Sequence, residues 1–461
     1  MKKNITRQEG TDLGTEPVGK LLIKLAFPAI IAQMVNLLYN MVDRIYIGHI
    51  PGTGDVALTG LGLCFPIIMI ITAFSSLIGT GGAPRAAIFM GKGDDNEAER
   101  ILGNCTSALV LTAVVLTVVM EIVAEPVLRL FGASSVTLPY ALSYMRIYVF
   151  GTICVMLALG LNSFITTQGF SKIGMKTVII GAVCNLILDP ILIFGFNMGV
   201  RGAALATILS QGISAIWVIR FLTGRKTKLK IRKKNLKIQA SVLLPVLALG
   251  ISPFIMTATE SILNVAFNSS LSRYGGDIAV GAMTILSSVM QLQFMPVQGL
   301  GQGAQPILSY NYGAKKIDRV KKSCRILIIS CLLYTFVFWG FVQMFPEILV
   351  RLFNNNSPEL ISTTAWALRI YMAGTGVFGI QMAIQQIFMA LGQAKLSLLI
   401  ACMRKIILLI PLIYILPHFF VDKVFAVFLA EPAADLLSVI IASVLFAANY
   451  RKILSGSGEK A

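Results

Sequence analysis

Apolar runs long enough to cross a membrane recur along the whole chain. They occupy residues 21–47, 56–83, 101–121, 139–164, 173–196 and 201–222. After a polar, basic interval they resume at 242–271, 278–308, 323–344, 360–390, 396–417 and 424–449. A helix needs about 20 predominantly apolar residues to traverse the hydrocarbon, so each run predicts one crossing. Prolines, glycines and polar side chains interrupt several of them. Spanning helices tolerate this where a neighbouring helix or a water-lined cavity satisfies the freed backbone groups. The pattern predicts an all-α integral membrane protein of twelve transmembrane helices.

The two sets of six resemble each other. Gly54-Asp55-Val56-Ala57 matches Gly276-Asp277-Ile278-Ala279 at an offset of 222, and at that offset Gly79, Gly81, Pro84 and Gly91 fall on Gly301, Gly303, Pro306 and Gly313. One residue further, Arg146-Ile147-Tyr148 meets Arg369-Ile370-Tyr371, and Gly169 and Lys172 meet Gly392 and Lys395. A register kept over so long a stretch marks a tandem duplication. Six spans per copy is an even number, so both copies enter the membrane in the same sense, related by a pseudo-two-fold axis along its normal. The expected organisation is an N-terminal segment 1–20, an N-lobe 21–222, a basic linker 223–241, a C-lobe 242–450 and a tail 451–461. Two such lobes around a central cavity favour alternating access over an open channel.

Composition narrows the picture further. Apolar residues make up 56% of the chain, charged residues 13%, and the mean hydropathy is +0.79, whereas soluble domains carry about 25% charge. A net charge of +18 would suit nucleic acid if it formed one patch, but it alternates loop by loop. Of the 39 Lys and Arg, 29 fall in intervals on the side of the N-terminus and five on the other. By the positive-inside rule both termini are expected in the cytoplasm, in a multi-pass protein of the cytoplasmic membrane with no nucleic-acid partner. The basic run 220–237 reads as a topology anchor beside anionic lipid headgroups. No removable signal peptide is apparent, and the first span serves as the insertion signal. The seven cysteines form no Cys-x-x-Cys pair and read as small buried side chains. Gly14 to Lys20 imitates a nucleotide-binding loop, but Leu21 stands where Ser or Thr is required and no strand precedes it. With no nucleophile or metal constellation, an enzyme is not expected. A pump of this kind would draw on an ion gradient, and no obligate protein partner is evident.

Polar groups at membrane depth require an explanation, because a charge there costs about 2.5–3.5 kcal/mol on insertion scales. Gln33, Asn36, Asn40 and Asp43 recur at steps of three and four and share one helix face. Asn185 and Asp189 repeat that spacing in the fifth span, directly before Pro190, and Thr207 adds a hydroxyl from the sixth. Two carboxylates, an amide and a hydroxyl suit Na⁺, or a carboxylate pair holding a proton. The structural alternatives are interhelical hydrogen bonds for the Asn and Thr, an Asp43–Arg44 pair, and Asp189 as a cap. In the C-lobe, Thr257, Glu260, Asn264 and Asn268 repeat the stripe. Glu260 has no basic residue within reach on its own helix, which suits a proton carrier or a counter-ion for a cationic substrate. A Glu hydrogen-bonded across helices is the alternative. Gln381 and Gln385, the latter at the repeat position of Asn162, line the cavity or stitch helices. Gln33, Asn36, Asn40, Glu260, Asn264, Gln381 and Gln385 are therefore candidate cavity residues. Glu431 and Asp435 flank Pro432, and Arg404 is expected to pair with one of them, with Lys405 adding a further charge.

The segments 28–48 (PAIIAQMVNLLYNMVDRIYIG), 185–195 (NLILDPILIFG) and 202–210 (GAALATILS) resemble the multidrug and toxic compound extrusion (MATE) family, most closely its MepA-like branch. The resemblance covers nearly the whole chain. It implies a secondary-active efflux antiporter that exports organic cations and amphipathic compounds in exchange for H⁺ or Na⁺, with no cofactor beyond the gradient. By similarity, Asp43, Asn185, Asp189 and Thr207 match an N-lobe cation or proton site. Glu260 is similar to a seventh-helix carboxylate of the NorM-like branch, with shifted spacing from Pro253. The tenth-helix acid of that branch has no counterpart, since Gln381, Gln385 and Gln386 stand there. A lipid-linked oligosaccharide flippase of the same wider superfamily is the alternative, although acidic stripes fit it less well than a basic cavity would.

Overall fold

The computed structural model describes residues 11–353 and 357–455; the first ten residues of the N-terminal segment and the tail beyond 455 lie outside them. The N-lobe comprises α1 (Val18–Gly48), α2 (Gly54–Lys92), α3 (Asp95–Leu130), α4 (Leu138–Phe150), α5 (Thr152–Thr167), α6 (Ser171–Pro190) and α7 (Val200–Thr223). The C-lobe comprises α8 (Ala240–Gly313), α9 (Ile317–Met344), the short α10 (Pro346–Arg351), α11 (Pro358–Tyr371), α12 (Thr375–Ala390), α13 (Ala394–Cys402), α14 (Ile410–Ile415) and α15 (Lys423–Leu454).

The twelve expected spans are recovered with revised ends. At 74 residues, α8 would be about 110 Å long if straight, more than three bilayer cores. It turns back at Gly276, whose φ of 64° and ψ of −160° belong to a region only glycine occupies freely, and so makes two crossings. Spans four and ten are each two helices. α4 and α5 meet at 57° around Gly151, and α11 and α12 meet at 50° just before Thr375. Gly151 and Gly374 are repeat partners, each three residues past the Arg-Ile-Tyr triplet, so the bend is inherited with the duplication. Both fifth spans also widen into a π-helical turn, Ile191–Gly195 in one lobe and Met403–Leu409 in the other. Counted this way, the described residues make twelve crossings.

Side chains such as Ile122, Ile216, Leu333, Ile440 and Val444 stand exposed on the outer faces. Because lipid provides no hydrophobic drive between helices, close packing of small residues holds the bundle together. Each lobe's first span leans on the other lobe. Leu21, Leu22, Leu25 and Ala26 of α1 pack into the C-lobe core with Ala304 and Leu308, while Val242 and Val246 of α8 join the N-lobe core. Gly81 abuts the backbone of Val246 and Gly250, and its repeat partner Gly303 abuts Ala26. All of these contacts lie at the end of the bundle that carries the linker. The core at the opposite end of the C-lobe draws only on C-lobe residues. The lobes therefore close on each other at the linker end, while the far-end core of the C-lobe is built within that lobe.

The linker follows a defined path along the N-lobe. The side-chain oxygen of Gln168 accepts hydrogen bonds from Thr227 Oγ1 (2.9 Å) and from the amides of Lys228 and Leu229 (2.8 Å each). Glu99 pairs with Arg232 at 2.5 Å, and Asn104 accepts from the Gln239 amide at 2.7 Å. Arg225, Lys226, Lys228 and the basic residues from Arg232 to Lys237 remain exposed.

Candidate functional site

The N-lobe assembles its acids from separate helices. Asp43 near the far end of α1 and Asp189 at the end of α6 are buried, at 9% and 0% exposure, with their carboxyl groups close enough to interact. Asn185 Nδ2 donates to Asp189 Oδ1 at 3.3 Å. Pro190 removes the N–H that the Leu186 carbonyl would otherwise accept, and the next turn widens. This places Asp189 at a softened point of its span. Arg44 does not pair with Asp43. It swings outward over the Phe65 ring, 5.4 Å from the centroid.

Tyr39 and Tyr144, which the hydrophobic pattern passes over as membrane filler, complete the surroundings. Tyr39 lies beside both acids and close to Gln211. Tyr144 lies beside Thr207, whose hydroxyl donates to the Ala203 carbonyl at 3.0 Å. Thr207 therefore reaches the acids through an aromatic neighbour. One oxygen each of Asp43, Asp189 and Asn185 is buried without a hydrogen-bond partner among the described residues. Two neighbouring carboxylates in a dry site repel unless a positive charge lies between them. The unpartnered oxygens have the chemistry that a proton or a small cation would need.

The polar stripe of α1 divides. Asp43 turns into the lobe, Gln33 and Asn36 are half-buried, and Asn40 is exposed, its amide donating to the Asn36 carbonyl at 2.7 Å. In the C-lobe, Glu260, Asn264 and Asn268 are exposed along one face of α8.

Two expectations for the C-lobe need correction. Glu260 is not isolated, because the Lys405 ammonium reaches it from the eleventh span while also donating to the Met256 carbonyl at 2.6 Å. A search confined to one helix misses a partner supplied by another. Gln381 and Gln385 are buried, at 1% and 2% exposure; Gln385 ties α12 to α8, and Gln381 supports it from one turn away. Gln385 Nε2 donates to Ser252 Oγ at 3.1 Å, and the Gln381 amide donates to Gln385 Oε1 at 3.4 Å. Arg404 pairs with both expected acids, with Nη2 at 2.6 Å from Glu431 Oε1 and Nε at 2.9 Å from Asp435 Oδ1. Its guanidinium stacks over Phe378 at 4.3 Å.

Comparison with known proteins agrees with this architecture. The MatE family model matches twice, over residues 28–191 and 253–415, once in each half of the duplication. The multidrug export protein MepA of Staphylococcus haemolyticus is 24% identical over 425 residues, covering 92% of each chain. MepA of Staphylococcus aureus is 23% identical, covering 93% of this chain and 94% of its own. Among solved structures, a MATE protein in a straight conformation superposes with a TM-score of 0.90 at 21% identity, over 96% of this chain and 99% of that one. A MATE transporter in an outward-facing conformation superposes at 0.88, also at 21% identity, over 95% and 99%. With the family model filling both lobes and the relatives aligned nearly end to end, the chain belongs to the MatE family: it is a MATE membrane transporter and not an enzyme.

Proposed function

We propose that this transporter is a secondary-active multidrug exporter, expelling amphipathic organic cations in exchange for protons taken up at the Asp43–Asp189 pair. The observation that carries the reading is the juxtaposition of two buried carboxyls beside Asn185, with no Lys or Arg hydrogen-bonded to either among the described residues. The Staphylococcus relatives that align over its length are named multidrug export proteins, which supports the substrate class. The charge asymmetry of the loops supports a cytoplasmic linker end, so that the closed end faces inward.

With one proton between them the two acids carry one negative charge, which draws a cation into the N-lobe. A second proton entering from outside neutralises the pair and removes that attraction. The cation then leaves outward, and the softened turn after Pro190 gives α6 room to bend as the charge changes. Proton and substrate thus bind antagonistically, as coupling requires.

The test is efflux of ethidium from liposomes containing the purified protein, under an imposed pH gradient or an imposed Na⁺ gradient. Efflux driven by the pH gradient and lost in Asp189→Asn is the expected result. Efflux driven only by Na⁺ would replace the proton with that ion at the same oxygens. No efflux with either gradient, across several organic cations, would overturn the reading in favour of an amphipathic lipid substrate.

A further inference from the structure

The C-lobe contains a cluster of charges that does not balance. Arg404 and Lys405 face three carboxylates: Glu260 from α8, and Glu431 and Asp435 from α15. Tyr371, buried at the end of α11, is the other titratable group beside them. Arg404 is shared by Glu431 and Asp435, and Lys405 is taken by Glu260. With all five groups ionised, one negative charge is left over. Asp435 is 0% exposed, and its Oδ2 has no hydrogen-bond partner among the described residues. An uncompensated charge in so dry a place is strongly unfavourable, so the cluster requires one further positive charge.

Its members differ in access. The Glu260 side chain is 52% exposed, whereas that of Lys405 is 4% exposed. Glu260 also shares its exposed face with Asn264 and Asn268, a polar stripe unsuited to lipid and suited to a wet cavity. The ammonium beneath it hangs on a flexible four-carbon stem, held by the Met256 carbonyl. Its electrostatic partners include Glu431 as well as Glu260. Lys405 therefore has two acidic destinations, one at the cavity wall and one inside.

We propose that Glu260 is a subsite for the head group of a monovalent amphipathic cation, and that Lys405 is its tethered occupant, yielding to the incoming cation by moving to the Arg404–Glu431–Asp435 cluster. With the subsite empty, Lys405 neutralises Glu260 and the inner cluster holds a proton. With the subsite loaded, the cation neutralises Glu260, Lys405 neutralises the cluster, and the proton departs, so that charge balances at one cation bound per proton released. This rests on the proposed export of organic cations but uses none of the N-lobe acids.

The test is ethidium binding, read by fluorescence polarisation on the full-length protein in detergent, with a pH indicator in weak buffer reporting proton release. An Asp43→Asn/Asp189→Asn background silences the N-lobe. Lys405→Met frees Glu260 and should bind ethidium about tenfold tighter without releasing a proton, whereas Glu260→Gln should bind about tenfold weaker. Lys405→Arg keeps the charge, so it is the variant to use if Lys405→Met does not fold. Its fork grips Glu260 harder, and it should bind ethidium about tenfold weaker. In Lys405→Met/Glu260→Gln the gain should vanish, because Lys405 acts through Glu260. Unchanged ethidium affinity in both Lys405 variants would overturn the subsite while leaving gradient-driven export standing. The expected binding pattern, together with no gradient-driven efflux by the wild-type protein, would support the subsite and overturn the exporter.

Discussion

Gly91 and Gly313 are repeat partners that press on each other's helices: Gly91 of α2 abuts the Tyr310 carbonyl of α8, and Gly313 of α8 abuts the Ile88 carbonyl of α2. The offset of 222 converts one contact into the other. The closed end of the transporter is thus built around the duplication's own two-fold axis, at positions where any side chain would collide with backbone.

A residue with a side chain at this point should wedge the lobes apart. In Gly91→Leu, spin labels at Asn96 and Lys322, exposed on the linker-end segments of opposite lobes, should report a longer and broader distance distribution. Ethidium efflux should fall by about tenfold or more, since alternating access requires both ends to close in turn. An unchanged distance distribution would show that the helices accommodate the side chain and that this contact does not set the closed state.

Charge and geometry can be separated at Asp43. Asp43→Asn removes the carboxyl that meets Asp189 and should abolish gradient-driven efflux. Asp43→Glu keeps the acid on a longer stem and should retain part of it. The comparison is made on initial rates in liposomes at matched protein density, where a loss of roughly tenfold corresponds to about 1.4 kcal/mol. Equal loss in both variants would mean that carboxylate position, rather than charge, governs coupling.

Much of this architecture was legible because the bilayer imposes a simple rule on sequence. Twelve apolar runs became twelve crossings, and the Gly54 and Gly276 motifs announced the duplication. Asp43 and Asp189 were singled out because an acid in a span must find a partner, and the structure brings them to each other. The bends at Gly151 and before Thr375 escaped notice because the residues on both sides are equally apolar, so hydropathy does not register a change of direction. Lys405 could not be assigned to Glu260, 145 positions away, by periodicity within one helix. Tyr39 and Tyr144 were hidden for a related reason: an aromatic ring suits lipid and a polar site alike, and only its neighbours decide which.

The docked linker provides a test of local stability. Gln168 is buried, and one side-chain oxygen receives three donors from residues 227–229. Gln168→Ala strands those donors, at about 1–3 kcal/mol for a buried unsatisfied group. The neighbouring Arg225, Lys226 and Lys228 are exposed, so trypsin reports the opening directly. Cleavage in the linker should accelerate by roughly five- to a hundredfold, because proteolysis follows the population of the opened form. Unaltered cleavage would indicate that the segment is held without Gln168, by Glu99, by Asn104 and by Ser107, whose hydroxyl donates to the Leu236 carbonyl at 2.6 Å.

The buried ion cluster of the C-lobe should stabilise less as a whole than its parts suggest. Arg404→Met leaves Glu431 and Asp435 facing each other with their shared cation gone, a change of about 3–5 kcal/mol for a broken buried pair. In Arg404→Met/Glu431→Gln/Asp435→Asn the only buried charge left is Lys405, still paired with Glu260, and the Phe378 ring that now carries the guanidinium can pack against methionine. The triple variant should therefore unfold at a higher temperature than the single one, and within a few degrees of the wild type, in detergent monitored by intrinsic fluorescence. Its cost should appear in function instead, because Lys405 would lose its inner acidic destination and remain fixed on Glu260. A triple variant less stable than Arg404→Met would mean that the remaining polar contacts of Glu431 and Asp435 hold α15 in place, and that the cluster is structural rather than a reservoir of charge.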